Sequence, residues 1–152
     1  MRAPRHGFTM IELLVTMAVL SVLLAIAVPS FREQLARRTL EGAANELSND
    51  LQYTRTQAVS NNADTALTTA AGGTQYTISS VATTHKTVTL DPALNVTPSI
   101  TVTYNALRAT ANVATITMGS NRTGAQLQLS TNVMGRVSLC SPGGSLKGYT
   151  VC

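Results

Sequence analysis

Glu12 is the only charged side chain in an otherwise apolar run from Phe8 to Val28. A carboxylate within such a run costs about 3 kcal/mol even on the lenient insertion scale, so it asks for a cation, and its chemistry is ion pairing. Catalytic chemistry has little to work with. The histidines are His6 and His85, and His85 sits in a Thr-rich stretch with no Cys, Asp or Glu close by. Ser141-Pro142-Gly143-Gly144 reads as a turn, without the His and acid that a nucleophile needs. Gly72-Gly73 lacks the lysine and the following helix of a phosphate loop. No enzyme, cofactor or metal site is expected.

Cys140 and Cys152 bracket a loop rich in Gly. In an oxidising compartment beyond an inner membrane they are expected to be bridged. Closing a loop of about a dozen residues is worth on the order of 3 kcal/mol by the chain-entropy argument. Metal binding is the alternative, but the two thiols lack neighbouring His or acid ligands. Charge is unevenly spread. From Thr65 onward the basic residues are Lys86, Arg108, Arg122, Arg136 and Lys147, against the single acid Asp91. A positive domain attracts polyanions, of which DNA is the obvious one. A few scattered charges that merely keep a surface soluble would give the same tally.

The elements that must position these groups begin with the apolar run, which is long enough to cross a bilayer as a helix. An ordinary export signal would use Arg2 and Arg5 as its basic region and Ala25-Ile26-Ala27 as its cleavage site, but this run is longer than the usual hydrophobic region of roughly 7–15 residues and contains an acid. A plain single-pass anchor explains the hydrophobicity but not Gly7-Phe8 beside Glu12. Beyond Pro29 the pattern stays helical and becomes amphipathic: Leu35, Leu40, Ala43, Ala44, Leu47, Leu51, Ala58 and Val59 recur near three- and four-residue spacing, while Arg37, Arg38, Glu41, Glu46, Asp50 and Arg55 occupy the other, polar positions. One helix from about Phe8 to about Ser60 is predicted. A bend or local unwinding is expected at Pro29, whose ring removes a helix hydrogen bond, with a second soft point at Gly42.

After Asn61-Asn62 the texture changes to alternation and turns. Strands are predicted over Thr65–Thr69, Thr74–Val81, Lys86–Leu90, Ile100–Leu107, Val113–Met118, Ala125–Ser130 and Gly135–Cys140, with Asp91-Pro92 and Thr97-Pro98 among the separators. With no Trp, four Tyr and two Phe, the core must be built mainly from Val, Leu, Ile and Ala. The fold class is α+β: a long N-terminal helix packed on a C-terminal antiparallel sheet or small sandwich. The expected divisions are a leader over 1–7, a membrane and assembly helix over 8–28, an amphipathic helix over 29–62 and a β-rich head over 63–152.

Gly7-Phe8-Thr9-Met10-Ile11-Glu12, the apolar run and Pro29 together resemble the class III signal of the type IV pilin and pseudopilin superfamily. The resemblance implies that a prepilin peptidase cuts after Gly7, that Phe8 becomes the methylated first residue, and that Glu12 is the fifth-position acid. In such filaments this acid pairs with the N-terminal amine of a neighbouring subunit. It further implies storage in the inner membrane as a single-pass precursor with a periplasmic head, and an extracellular position once assembled with other pilins.

Gly135-Arg136-Val137-Ser138-Leu139-Cys140, followed by Ser141-Pro142-Gly143-Gly144 and the terminal Cys152, resembles the FimT/FimU, or H-type pseudopilin (GspH-like), branch. FimT proteins active in natural transformation carry a Gly-Arg-x-Arg motif that contacts double-stranded DNA. Gly135 and Arg136 match its first half, while Ser138 stands where the second arginine belongs. Lys147 could supply another phosphate contact, and Arg122 is a third candidate. Beside this stands the reading of Gly135-Arg136 as a turn glycine and a strand-end arginine. The expected function is that of a minor type IV pilin that helps initiate or cap a filament, with DNA capture by its head. The alternative is an H-type minor pseudopilin of a type II secretion system.

Overall fold

The computed structural model describes residues 7–70, 73–81 and 83–152. Most of the leader, including Arg2, Arg5 and His6, lies outside the described residues, as does Gly72 of the Gly72-Gly73 pair. Among the described residues, those up to Leu35 form one compact unit and those from Ala36 onward another.

Thr9 starts the long helix: its hydroxyl accepts the Glu12 N–H at 3.3 Å, and α1 runs from Met10 to Ser60. The unwinding expected at Pro29 does not occur, and α1 passes through Pro29 and Gly42 unbroken. A proline ring fixes a φ compatible with helix and forfeits one ladder bond, and the next residue, Ser30, donates its hydroxyl to the Ala27 carbonyl at 3.0 Å. The helix ends where Asn62 adopts a positive φ of 49°, with the Ala63 N–H returning to the Ala58 carbonyl at 3.2 Å.

Within Ala36–Cys152, α1 buries Ala36, Leu40, Ala44, Leu47, Leu51, Thr54 and Ala58, a single stripe at three- and four-residue spacing. That stripe packs on two antiparallel four-stranded sheets. The strands are β1 (Thr65–Thr69), β2 (Gln75–Ser80), β3 (Thr84–Thr89), β4 (Leu94–Thr97), β5 (Thr101–Tyr104), β6 (Ala114–Ser120), β7 (Gln126–Thr131) and β8 (Val137–Cys140). The first sheet has the order β3-β2-β1-β5 and the second β4-β6-β7-β8. Alternation sets the register: Leu67 lies opposite both Ile78 and Val102, and Leu129 opposite both Ile116 and Leu139. Leu47, Leu51, Ile78, Tyr104, Met118 and Leu127 belong to one continuous core.

Among the strands, three departures from expectation have a clear local cause. The segment between Asp91-Pro92 and Thr97-Pro98 is not a connection but β4, an edge strand with Leu94 and Val96 buried. Only four residues long and with prolines on either side, it carries too few alternations to be seen. The strand expected to reach Leu107 stops at Tyr104, because the Asn105 carboxamide accepts the Leu107 and Arg108 N–H groups at 3.1 and 3.2 Å and turns the chain. The last strand starts at Val137 rather than Gly135, whose φ of 72° belongs to a turn.

Candidate assembly and anion-binding sites

At the N-terminus, Gly7 and Phe8 precede the helix and are exposed. Every described residue from Gly7 to Leu35 is exposed, so no apolar side chain of this stretch is covered by the chain itself. α1 is long and apolar enough there to cross a membrane. The Glu12 carboxylate has no partner among the described residues, and its backbone N–H is bound by the Thr9 hydroxyl.

The head contains an ionic cluster built on a buried acid. Asp50, 6% exposed on the inner stripe of α1, accepts the Tyr76 hydroxyl at 2.7 Å and the Lys86 ammonium at 2.8 and 2.9 Å. Glu46, one turn earlier, reaches the same ammonium at 3.5 Å. The hydrogen bond to Asp50 holds the Lys86 pKa above the usual lysine value, and burial, aided by Asp50, pushes that of Tyr76 up. The cluster bonds the helix to β2 and β3. Lys86 was expected among the outward-facing cations of the head, but it is neutralised by the helix.

Cys140 and Cys152 are joined in a disulfide. The loop they close also carries Ser141, whose buried hydroxyl accepts the Leu146 N–H at 3.1 Å.

The three basic candidates do not come together. Arg122, in the β6–β7 turn, lines a small hollow with Ala36, Thr39 and Asp91. Lys147 follows Ser145, whose carbonyl accepts the Arg37 guanidinium at 3.5 Å, so it belongs to the same end of the head. Arg136 stands in the β7–β8 turn and lines a separate open hollow of about 310 Å³ with Gln52, Arg55, Thr56, Gly135 and Val137. Along α1, Thr39 and Arg55 are about 24 Å apart at 1.5 Å per residue. Ser138 is turned to another use, its hydroxyl pairing with that of Ser130 at 2.8 Å.

The geometry around Gly135 is tight. A Cβ there would come within 3.0 Å of the Ala109 carbonyl and the Tyr104 ring, and 3.4 Å of the Arg55 Nε. The turn is drawn in by the Asn132 carboxamide, which accepts the Arg136 N–H at 2.9 Å. Tyr104 is fully buried and its pKa is raised by desolvation, with the Arg55 charge pulling the other way.

Residues 2–28 match the prokaryotic N-terminal methylation motif, and residues 43–152 match the family described as type II transport protein GspH. The chain belongs to the GspH family. Solved structures of two proteins, among those that match, share the fold of this GspH-family protein. The type IV minor pilin FimU of Pseudomonas aeruginosa is 23% identical, with a TM-score of 0.59 over 72% of this chain and 97% of that one. The minor pseudopilin EpsH from the type 2 secretion system of Vibrio cholerae is 13% identical, with a TM-score of 0.56 over 68% of this chain and 98% of that one. No curated protein sequence matches the chain.

In this GspH-family head, Arg55 is the functional candidate that sequence reasoning missed. It was assigned to the polar side of an amphipathic helix, and the signal that could have raised it is its place one turn from the helix end, beside Gln52 and Thr56 on one face.

Proposed function

We propose that the protein is a minor type IV pilin, cut by a prepilin peptidase between Gly7 and Phe8 and assembled with other pilins into a pilus or pseudopilus that it helps initiate or cap. One observation carries this reading: an apolar segment exposed along its whole length, with a lone acid, Glu12, near its start and the methylation motif spanning it. Cleavage creates a cationic amine at Phe8. Pairing that amine with Glu12 of a neighbouring subunit, where lipid and water are both excluded, supplies the counter-ion the acid lacks and fixes the axial register. Before assembly the same segment holds the precursor in the inner membrane with its head in the periplasm.

The test has two parts. The mature chain should begin at methylated Phe8, and a start at Val28 would mean an ordinary export signal. Glu12→Ala should leave the precursor cleaved and membrane-bound but poorly assembled, so normal filament formation in that variant counts against the reading. The type II secretion alternative is favoured instead if deletion of the gene blocks protein secretion and spares piliation.

A second reading, capture of double-stranded DNA by the head, is supported by the open hollow at Arg136. Its lining residues include two arginines and no acid. The full-length protein in neutral detergent should bind duplex DNA in a salt-sensitive way, and Arg136→Ala should weaken that binding.

A further inference from the structure

Neither the Arg55 nor the Arg136 guanidinium has a hydrogen-bond or ion-pair partner among the described residues, although Arg55 is half-buried. A half-buried arginine without an anion keeps its guanidinium donors available to a ligand. The two arginines come from α1 and from the β7–β8 turn and line the same hollow, together with the Gln52 carboxamide and the Thr56 hydroxyl. Gly135 lets the turn lie against the helix: a Cβ there would come within 3.0 Å of the Ala109 carbonyl and the Tyr104 ring, and it would stand 3.4 Å from the Arg55 Nε. Arg122 and Lys147 lie at the other end of the head.

From this we infer that Arg55 and Arg136 form one two-arginine site for a phosphodiester group of duplex DNA, with Arg55 supplying from the helix the second guanidinium that Ser138 cannot. The inference rests on the DNA reading above and names the residues that carry it. A planar guanidinium matches phosphate oxygens with paired donors, and the Gln52 and Thr56 groups are neutral donors of the kind that commonly fill the remaining oxygens. Interactions of this sort set affinity and carry no sequence preference.

The experiment is a titration of full-length protein in neutral detergent with a labelled random-sequence duplex at several salt concentrations. It compares the parent with Arg136→Ala, Arg55→Ala, Arg55→Lys and Arg122→Ala, each checked for an unchanged unfolding temperature. The log–log salt slope should flatten by about 0.9 for each phosphate that is no longer neutralised. Arg55→Ala and Arg136→Ala should each weaken binding several-fold and flatten the slope, and the double variant should lose less than the two single losses combined, because both residues grip one phosphate. Arg55→Lys should keep the slope and lose part of the affinity, and Arg122→Ala should match the parent. A parent with no salt-sensitive binding removes the DNA reading and this site with it. Flattening in Arg136→Ala but not in a folded Arg55→Ala leaves the DNA reading standing and overturns the two-arginine site. Equal flattening in Arg122→Ala overturns it as well, in favour of diffuse attraction. So does loss of co-purification with other pilins at an unchanged DNA slope, which would assign the hollow to an acidic group on a neighbouring subunit.

Discussion

The two parts of α1 make opposite uses of apolar side chains. From Met10 to Leu35 every residue is exposed, whereas from Ala36 to Ala58 a stripe led by Leu40, Leu47 and Leu51 is fully buried against the sheets. Composition alone does not separate them, since both contain leucine and alanine in quantity. Arrangement does. A helix apolar on all sides cannot satisfy itself within one small head and must find lipid or other copies of such a helix, while a one-sided helix finishes its burial at home. On the proposed function, the first part therefore serves membrane storage and polymerisation, and the second serves the stability of the head.

The largest effect expected from this contrast is in the core. Leu47 is completely buried, and Leu47→Ala should destabilise the head by about 2–5 kcal/mol through lost burial and the cavity left behind. Circular dichroism melting of the full chain in detergent measures it, and an unchanged midpoint would mean that the stripe does not hold the sheets. Next comes the disulfide. Changing Cys140 and Cys152 together to serine should cost on the order of 3 kcal/mol while leaving membrane association of the precursor unchanged, because the two properties belong to different units.

The Asp50 cluster should give a smaller and pH-dependent loss. Asp50→Asn removes the anion facing Lys86 and should cost about 1–3 kcal/mol. Lys86 and the Tyr76 and Tyr104 phenols all have folded pKa values above their ordinary ones. Their protonated forms are thus favoured by folding, so the stability they contribute is complete below about pH 10 and is lost as pH rises through the folded values. The Lys86 side chain is 39% exposed, so solvent screening keeps its share modest. The melting temperature of the parent should fall above about pH 10.5, and the fall should be shallower in Asp50→Asn; an identical slope in both would mean that the cluster contributes nothing to it.

Much of this was legible because periodicity carries it. The helix bounds followed from the apolar run and the stripe, and β1 was read to its true ends because Thr65–Thr69 is rich in β-branched threonine and begins just after Asn61-Asn62. What escaped was either too short or not local. β4 offers two apolar residues between prolines, and its identity comes from pairing with β6 rather than from its own pattern. Lys86 looked like a free cation because its anions lie on a helix dozens of residues earlier. Arg136 could be singled out by its motif, but its neighbour Arg55 is brought to it only by the packing of α1 beside the β7–β8 turn, and no spacing rule reports that. The disulfide was legible because the chain has two cysteines and so one possible internal pairing.

The smallest expected effect is also the most discriminating for the comparison between the two parts of α1. Leu20 is 56% exposed within the first unit, so Leu20→Ala takes nothing from the head's core. The head's melting midpoint should stay within about 0.5 kcal/mol of the parent, as for substitutions away from packed features. On the proposed function, the same change deletes methyl groups from a surface that touches lipid before assembly and other helices after it. Its cost should therefore appear only as a lower yield of assembled subunit. A shift of the head's midpoint comparable to that of Leu47→Ala would mean that the first part of the helix is a structural element of the head, and the division of labour along α1 would fail.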